Sequence, residues 1–312
     1  MNLLVRMPIA ALILLLVSPL PAASVETVDA TLQNALAWQI ALDSAGYSSG
    51  IIDGKVGRKA EHAAREFQAA NGLAPTGKLD DATAAALGVN PAAAVGVYTV
   101  ADEDLAAVGG PLPKKWQDKS KLRHMAYAAL GEALAERFHC TQALLVRLNP
   151  GKNINRLSAG ECINVPAVRP SCPSRAAASI EVNLVAKTVR AVGRDGQTLA
   201  LFHCSIAKKK ENLPAHDTSV AVISRDPVYV FDPAKWPEVK GVNRKLCIPP
   251  GPRNPVGKCW IGLGLKGYGI HGSPSPEMIG KTGSHGCIRL TNWDALRLAT
   301  MIRVGIPVHF VR

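Results

Sequence analysis

Ser179-Ile180-Glu181-Val182-Asn183-Leu184-Val185 alternates polar and apolar side chains through Leu184, the period of a strand with one buried face. Downstream, Thr188–Val192 and Thr198–Ser205 flank a Gly193–Gly196 turn. Ser219–Ile223, Val228–Phe231 and Val308–Val311 are equally short and rich in Val, Ile and Phe. Strands of that length separated by Gly, Pro and Asp turns predict a mostly-β domain, with one helix at Trp293–Ile302.

Upstream, Ala167–Ala178 is a Pro/Ser/Ala linker. Before it, Tyr98-Thr99-Val100 reads as a strand, Glu132–Phe138 and Leu144–Leu148 as short helices, and Cys162-Ile163-Asn164-Val165-Pro166 as a closing strand. This βααβ outline, residues 97–167, resembles a LysM module with an insertion that includes Asp102–Gly131. The unit is either a glycan contact or a spacer that positions the downstream β domain. Further upstream, beyond an Ala-rich linker at Asn90–Gly96, Leu32, Leu36 and Ile40 have helical spacing up to Gly46. Ala60–Ala70 forms a second helix with Phe67 inward, and Asp80-Asp81 opens a third through Leu87. With Ile52-Asp53-Gly54, Gly57, Phe67-Gln68 and Gly72-Leu73, residues 30–89 resemble the three-helix peptidoglycan-binding domain.

The N-terminus has Arg6, the apolar run Ile9–Val17 and the small-residue exit Ser18–Ser24. That is the pattern of a secretory signal peptide over residues 1–23. A spanning helix needs about 20 apolar residues, so export to the periplasm or cell envelope is expected rather than anchoring. The formal net charge is +12, and residues 179–312 hold 19 Lys/Arg against 9 Asp/Glu. A basic exported surface suits wall carboxylates or other anionic polymers, and no nucleic-acid-binding motif is present. With 47% hydrophobic and 19% charged residues, the chain is neither wholly disordered nor fibrous.

Seven cysteines, an odd number, in an exported chain leave at least one thiol to be explained by chemistry. Candidate local pairs are Cys247 with Cys259, and either Cys140 with Cys162 or Cys162 with Cys172. The chemistry concentrates in His271-Gly272-Ser273-Pro274 and Ser284-His285-Gly286-Cys287-Ile288-Arg289-Leu290. A thiol becomes a strong nucleophile when an imidazole takes its proton, and the Ser273–Gly283 loop is able to fold His271 back to Cys287. Gly286 permits close substrate approach and presents backbone N–H groups to an oxyanion. Arg289 is a fork suited to a carboxylate or to holding the loop. Two thiols without a CxxC pair do not make a four-ligand metal site, so neither a metal nor a cofactor is expected.

This segment resembles the active-site signature of the L,D-transpeptidases with a YkuD-type catalytic domain. The wider resemblance runs over residues 178–312 and includes Cys204-Ser205-Ile206, Pro249–Gly257, Trp260–Leu263 and Asn292–Ala295. It implies a β-sandwich with one short helix. Cys287 is then the nucleophile on the meso-diaminopimelate carbonyl of a tetrapeptide stem. His271 is the general base and acid, oriented by the Gly272 carbonyl, and His285 supports the thiolate. Gly286 and Cys287 supply oxyanion N–H groups, and Arg289, Ser284 and Ser273 meet substrate. The implied product is a 3→3 cross-link. Hydrolysis by an L,D-carboxypeptidase or endopeptidase of the same fold, and non-catalytic wall binding, are the alternatives. Carbapenem acylation at Cys287 is implied too. His203, His216 and His309 read as structural, Trp236 and Trp260 as packing residues, and Lys208-Lys209-Lys210 as a solvated turn.

Overall fold

The computed structural model describes residues 29–169, 175–236, 238–284 and 286–312. The expected leader, Cys172 and His285 lie outside them. Three helices come first: α1 (Ala30–Ser44), α2 (Arg58–Ala70) and α3 (Asp81–Leu87). Asp80 caps α3 by accepting from Thr83 N at 2.9 Å, which satisfies one of the N–H groups a helix leaves open. Their core joins Leu42, Tyr47, Ala60, Ala63, Ala64 and Phe67, and it takes in Leu201 from far downstream.

The next unit runs β1 (Val95–Thr99), α4 (Asp102–Ala106), α5 (Trp116–Lys119), α6 (Leu130–Arg137), α7 (Gln142–Leu148) and β2 (Cys162–Pro166). β1 and β2 pair antiparallel from Val95↔Pro166 to Thr99↔Cys162. The expected βααβ outline is therefore present, with α4 and α5 lying in the insertion. Leu32 and Leu36 of α1 bury in this unit's core beside Leu134, Leu145 and Ile163, so the first two units share apolar packing.

The remaining chain forms β3 (Ser179–Asn183), β4 (Thr188–Val192), β5 (Thr198–His203), β6 (Thr218–Arg225), β7 (Tyr229–Phe231), β8 (Leu246–Ile248), β9 (Cys259–Leu263), β10 (Gly269–His271), β11 (Ile288–Arg289), α8 (Asn292–Met301) and β12 (Pro307–Val311). Eight strands make one continuous sheet in the order β11-β10-β9-β6-β12-β3-β4-β5. The layering of a sandwich arises because β6 serves both halves. Its Thr218 and Ser219 pair with β12, Val220–Arg225 pair with β9, and the register shifts between Val220 and Val222. A bulge of this kind lets a strand bend from one layer into the other. Ile180, Val189 and Phe202 from one half meet Ile261, Ile270 and Ile288 from the other, with Leu298 of α8 in the same core.

β7 and β8 form a separate antiparallel ribbon. A lone hairpin is marginal in water, and here the insertion supports it. Trp116 stacks on Phe231 with centroids 4.3 Å apart, and Met125, Phe231, Leu246 and Ile248 bury together. Gln117 Nε2 donates to Gly241 O at 2.7 Å, and Met125 N donates to Pro250 O at 2.8 Å. Gly251, at φ 135°, has Met125 O only 2.6 Å from where a Cβ would stand, so a side chain does not fit.

Two of the expected disulfides are not formed: Cys140, Cys162, Cys247 and Cys259 are free thiols. The physical reason is placement. Cys140 is buried in the core of the βααβ unit while Cys162 is exposed at the start of β2. Cys259 is buried under the large sheet while Cys247 is exposed on the ribbon. The alternative partner considered for Cys162, Cys172, lies outside the described residues.

Candidate active site

β10 and β11 are parallel neighbours, with Ile270 opposite Ile288 and His271 opposite Arg289. Parallel neighbours need a crossover of a dozen or more residues, and the whole stretch between His271 and Ile288 supplies it. Cys287, immediately before β11, thereby comes beside the strand that carries His271.

His271 is buried. Its Nδ1 lies 2.7 Å from Gly272 O, and a carbonyl only accepts, so Nδ1 holds the proton and Nε2 keeps a lone pair. Trp260, its cross-strand partner on β9, stacks on the ring at 5.7 Å. Burial, helped by the Arg289 charge and opposed by the Gly272 carbonyl, pushes its pKa down to about 4. The imidazole is therefore neutral at pH 7. Burial pushes the Cys287 thiol up, while a Gly269 backbone hydrogen bond and the charges of Lys235 and Arg289 work the other way. The Cys287 Sγ–H donates to Gly267 O at 3.5 Å. At pH 7 the thiol is therefore protonated and the imidazole neutral.

Gly272 is held where a Cβ would come 2.4 Å from Asn292 Oδ1. Asn292 in turn accepts from Lys258 N at 3.0 Å and donates to Glu136 Oε2 at 2.9 Å. Glu136 belongs to α6 and also accepts from Tyr127 Oη at 2.8 Å. The backbone that follows β10 thus packs against Asn292, which a residue of the preceding unit holds. No motif announced Glu136, because the contact spans 156 residues.

Ser284 Oγ donates to Cys287 O at 2.5 Å and accepts from Gly286 N at 3.1 Å. Its hydroxyl thus closes the nucleophile turn from inside, and the Gly286 N–H, expected to face an oxyanion, is engaged in this state. Ser273 Oγ accepts from Ser275 N at 3.2 Å and likewise shapes its loop. Arg289 Nη2 donates to Gly283 O and so ties the two ends of the turn around Cys287 together, while its buried Nε has no partner among the described residues. Gly286 itself is unhindered: a Cβ there would meet Tyr268 and Asn212 only at ordinary contact, 3.7 and 3.8 Å. His203, expected to be structural, is buried with Nε2 at 3.2 Å from Lys59 O.

A thiol at the edge of the strand neighbouring a buried, tautomer-fixed imidazole makes this end of the mixed β-sheet a candidate acyl-transfer site. The L,D-transpeptidase catalytic domain, YkuD, matches residues 177–310, and a peptidoglycan-binding domain matches residues 31–87. A relative named L,D-transpeptidase YkuD from Bacillus licheniformis is 31% identical over 177 residues, covering 57% of this chain and 90% of the relative. Its namesake from Bacillus subtilis is 26% identical over 180 residues, with 58% and 92% covered. A Bacillus subtilis relative named L,D-transpeptidase YqjB is 34% identical over 124 residues, with 38% and 62% covered. The chain belongs to the YkuD family of L,D-transpeptidases, its catalytic domain preceded by a helical peptidoglycan-binding unit.

Proposed function

We propose that this chain is an exported cysteine L,D-transpeptidase that joins peptidoglycan stems by 3→3 cross-links in the cell envelope. The observation that carries the reading is the parallel β10–β11 pair, which sets Cys287 beside the strand bearing His271. His271 Nε2 takes the Sγ proton as the sulfur attacks the diaminopimelate carbonyl of a tetrapeptide stem. The tetrahedral intermediate collapses when the imidazolium returns that proton to the departing D-Ala amine, which leaves a thioester on Cys287. An acceptor amine then attacks, passes a proton to His271 and releases the thiol. The cleaved peptide bond's energy persists in the thioester, so ATP has no role in the sequence. Backbone N–H groups at Gly286 and Cys287 face the developing oxyanion, with the Gly286 N–H turning from Ser284 as the intermediate forms, while Arg289 holds the loop through Gly283 O. His285 supports the thiolate.

The helical unit at 30–89 holds the wall polymer, residues 97–167 act as the LysM-like unit, and residues 1–23 direct export. Carbapenems acylate Cys287 by the same attack. The test is muropeptide analysis of full-chain protein with tetrapeptide-bearing substrate, beside Cys287→Ala and His271→Ala. A 3→3 dimer that is absent with Cys287→Ala, and falls about 10²–10⁴-fold with His271→Ala, supports the reading. Loss of D-Ala without dimer would reassign the enzyme as a hydrolase. A Cys287→Ser variant with near-full turnover would rule out the thiolate.

A further inference from the structure

A cavity of about 860 Å³ opens beside the nucleophile loop, outside the residues that carry the chemistry. Its size is that of a site for a small ligand. Lys187, Lys208, Lys210, Lys281 and Arg312 line it against a single acidic side chain, Glu211. Glu211 is itself shared with Lys209 at 3.9 Å, and among the described residues none of the four lining lysines has an ion pair. Leu184, Ile206 and Leu213 give the cavity an apolar floor. Lys187 sits at φ 55°, on the turn between β3 and β4. A lysine there is strained where glycine or asparagine is at ease, so a cation is kept at a backbone cost.

The cavity shares its walls with the catalytic turn. Gly283 lines it and precedes Ser284, whose backbone pairs with the 206–208 segment through Ser284 N to Ile206 O at 2.7 Å and Lys208 N to Ser284 O at 3.0 Å. Asn212, two residues beyond Lys210, places its carbonyl 3.8 Å from the Cβ position of Gly286. An occupant thus lies within a few residues' length of Cys287, at about 3.3–3.6 Å per extended residue. A cationic rim over a small apolar floor recognises a short peptide with free carboxylates and small aliphatic side chains.

We propose that this cavity is an anion subsite that captures the free carboxylates of a peptidoglycan stem peptide engaged at Cys287. The proposal rests on the transpeptidase reading for its ligand but not for its measurement. Both the donor and the acceptor stem carry this chemistry, and separate kinetic measurements of the two half-reactions distinguish them.

The first measurement is calorimetric binding of a synthetic stem tetrapeptide to full-chain Cys287→Ala protein, beside the same peptide with its carboxylates amidated. In low salt, Lys210→Glu/Lys281→Glu should weaken binding roughly tenfold, and the difference should shrink in 0.5 M NaCl because exposed charges are screened. Equal affinity in the variant, or equal affinity for the amidated peptide, overturns the proposal. If the reversed variant loses its thermal transition, Lys210→Met/Lys281→Met repeats the measurement, with about a threefold loss expected.

In protein that retains Cys287, the same substitutions should raise KM in one half-reaction and leave the maximal rate alone. An effect on acyl-enzyme formation assigns the cavity to the donor, and one on thioester resolution assigns it to the acceptor. Unchanged KM in both halves overturns the proposal. Charge-dependent binding without any acyl-enzyme in the parent protein would overturn the transpeptidase reading alone. Normal 3→3 formation with charge-insensitive binding would overturn the cavity alone.

Discussion

His271 carries a pKa of about 4, pushed down by burial from an ordinary value of 6.5. Its protonation therefore sets an acid limit on turnover: kcat/KM should fall as pH drops through about 4, which a pH–rate profile reads directly. The folded state also binds this proton less readily than the unfolded chain. The histidine's contribution to stability is complete above pH 6.5 and is lost as pH falls from there to about 4. Activity should accordingly decline only after the thermal midpoint has begun to fall. An acid limb near 6.5 would mean that the buried ring is not the base. Gly286 supplies a second prediction. Its Cβ position is free of close contacts, so Gly286→Ala should melt with the parent protein. If substrate must approach that backbone, kcat/KM should still drop roughly 10²-fold, the cost of displacing reacting groups by about an ångström. A variant with full activity would remove the close-approach role. His271-Gly272 and Ser284–Arg289 stand out in the sequence because each is a contiguous stretch of chain; what Ser284 does is not legible there, because its hydroxyl is free to face substrate or backbone.

Elements with a single buried face were readable and those without one were not. β3, with a strict alternation of buried and half-buried residues, matches its sequence pattern. β9, buried at four of its five positions, shows no such alternation, and β10 and β11 have three and two residues, too few for any period to register. The insertion between β1 and β2 was visible as excess length, but its purpose depended on the Trp116–Phe231 stack, a contact across more than a hundred residues. That stack carries a prediction. Trp116 is half-buried, so Trp116→Ala should cost roughly 2 kcal/mol, short of the 3–5 kcal/mol of a fully buried Trp. The loss should appear as proteolysis and faster amide exchange within residues 229–248, with the large sheet unaffected. Lys235, just beyond β7, favours the Cys287 thiolate, so loosening the ribbon should also slow acylation. Exchange rates unchanged in the ribbon would show that it stands without the insertion.

The three units were expected as modules on linkers, and the structure joins them. Asp43 of α1 accepts from His139 Nδ1 at 3.0 Å and meets Arg297 Nη2 of α8 at 3.4 Å, with Asp43 and Arg297 buried and His139 half-buried. His139 stacks on Trp293 at 4.9 Å. Glu66 of α2 pairs with Arg190 of β4, and Lys59 Nζ donates to Ile279 O of the loop between β10 and β11 at 2.8 Å. No linker composition reveals such contacts, because each partner alone reads as an ordinary surface charge. Arg297→Ala leaves Asp43 short of a buried partner and should cost about 3–5 kcal/mol, seen as a lower midpoint in urea. A loss under 1 kcal/mol would mean that the junction is solvated. Asp294 lies in the same cluster, where burial and then Asp43 push its pKa up to about 6. The folded state therefore binds a proton that the unfolded chain, near 3.8, releases. Stability from this group rises as pH falls from 7 to 5, and Asp294→Asn should raise the midpoint at pH 7 while flattening that dependence. A variant less stable than the parent at both pH values would refute the assignment.

Leu201 belongs to β5, yet it is buried in the core of the first three helices. A wall-binding unit on a flexible tether lets its enzyme sweep a volume that grows with tether length. Shared packing leaves no slack for that search. Under the function proposed above, helices that grip a strand of the polymer would leave the thiol facing one direction at one standoff, so that stems are reached by the register of the polymer or not at all. The molecule would then act as a fixed-jaw caliper, its choice of bond set in part by where it is clamped.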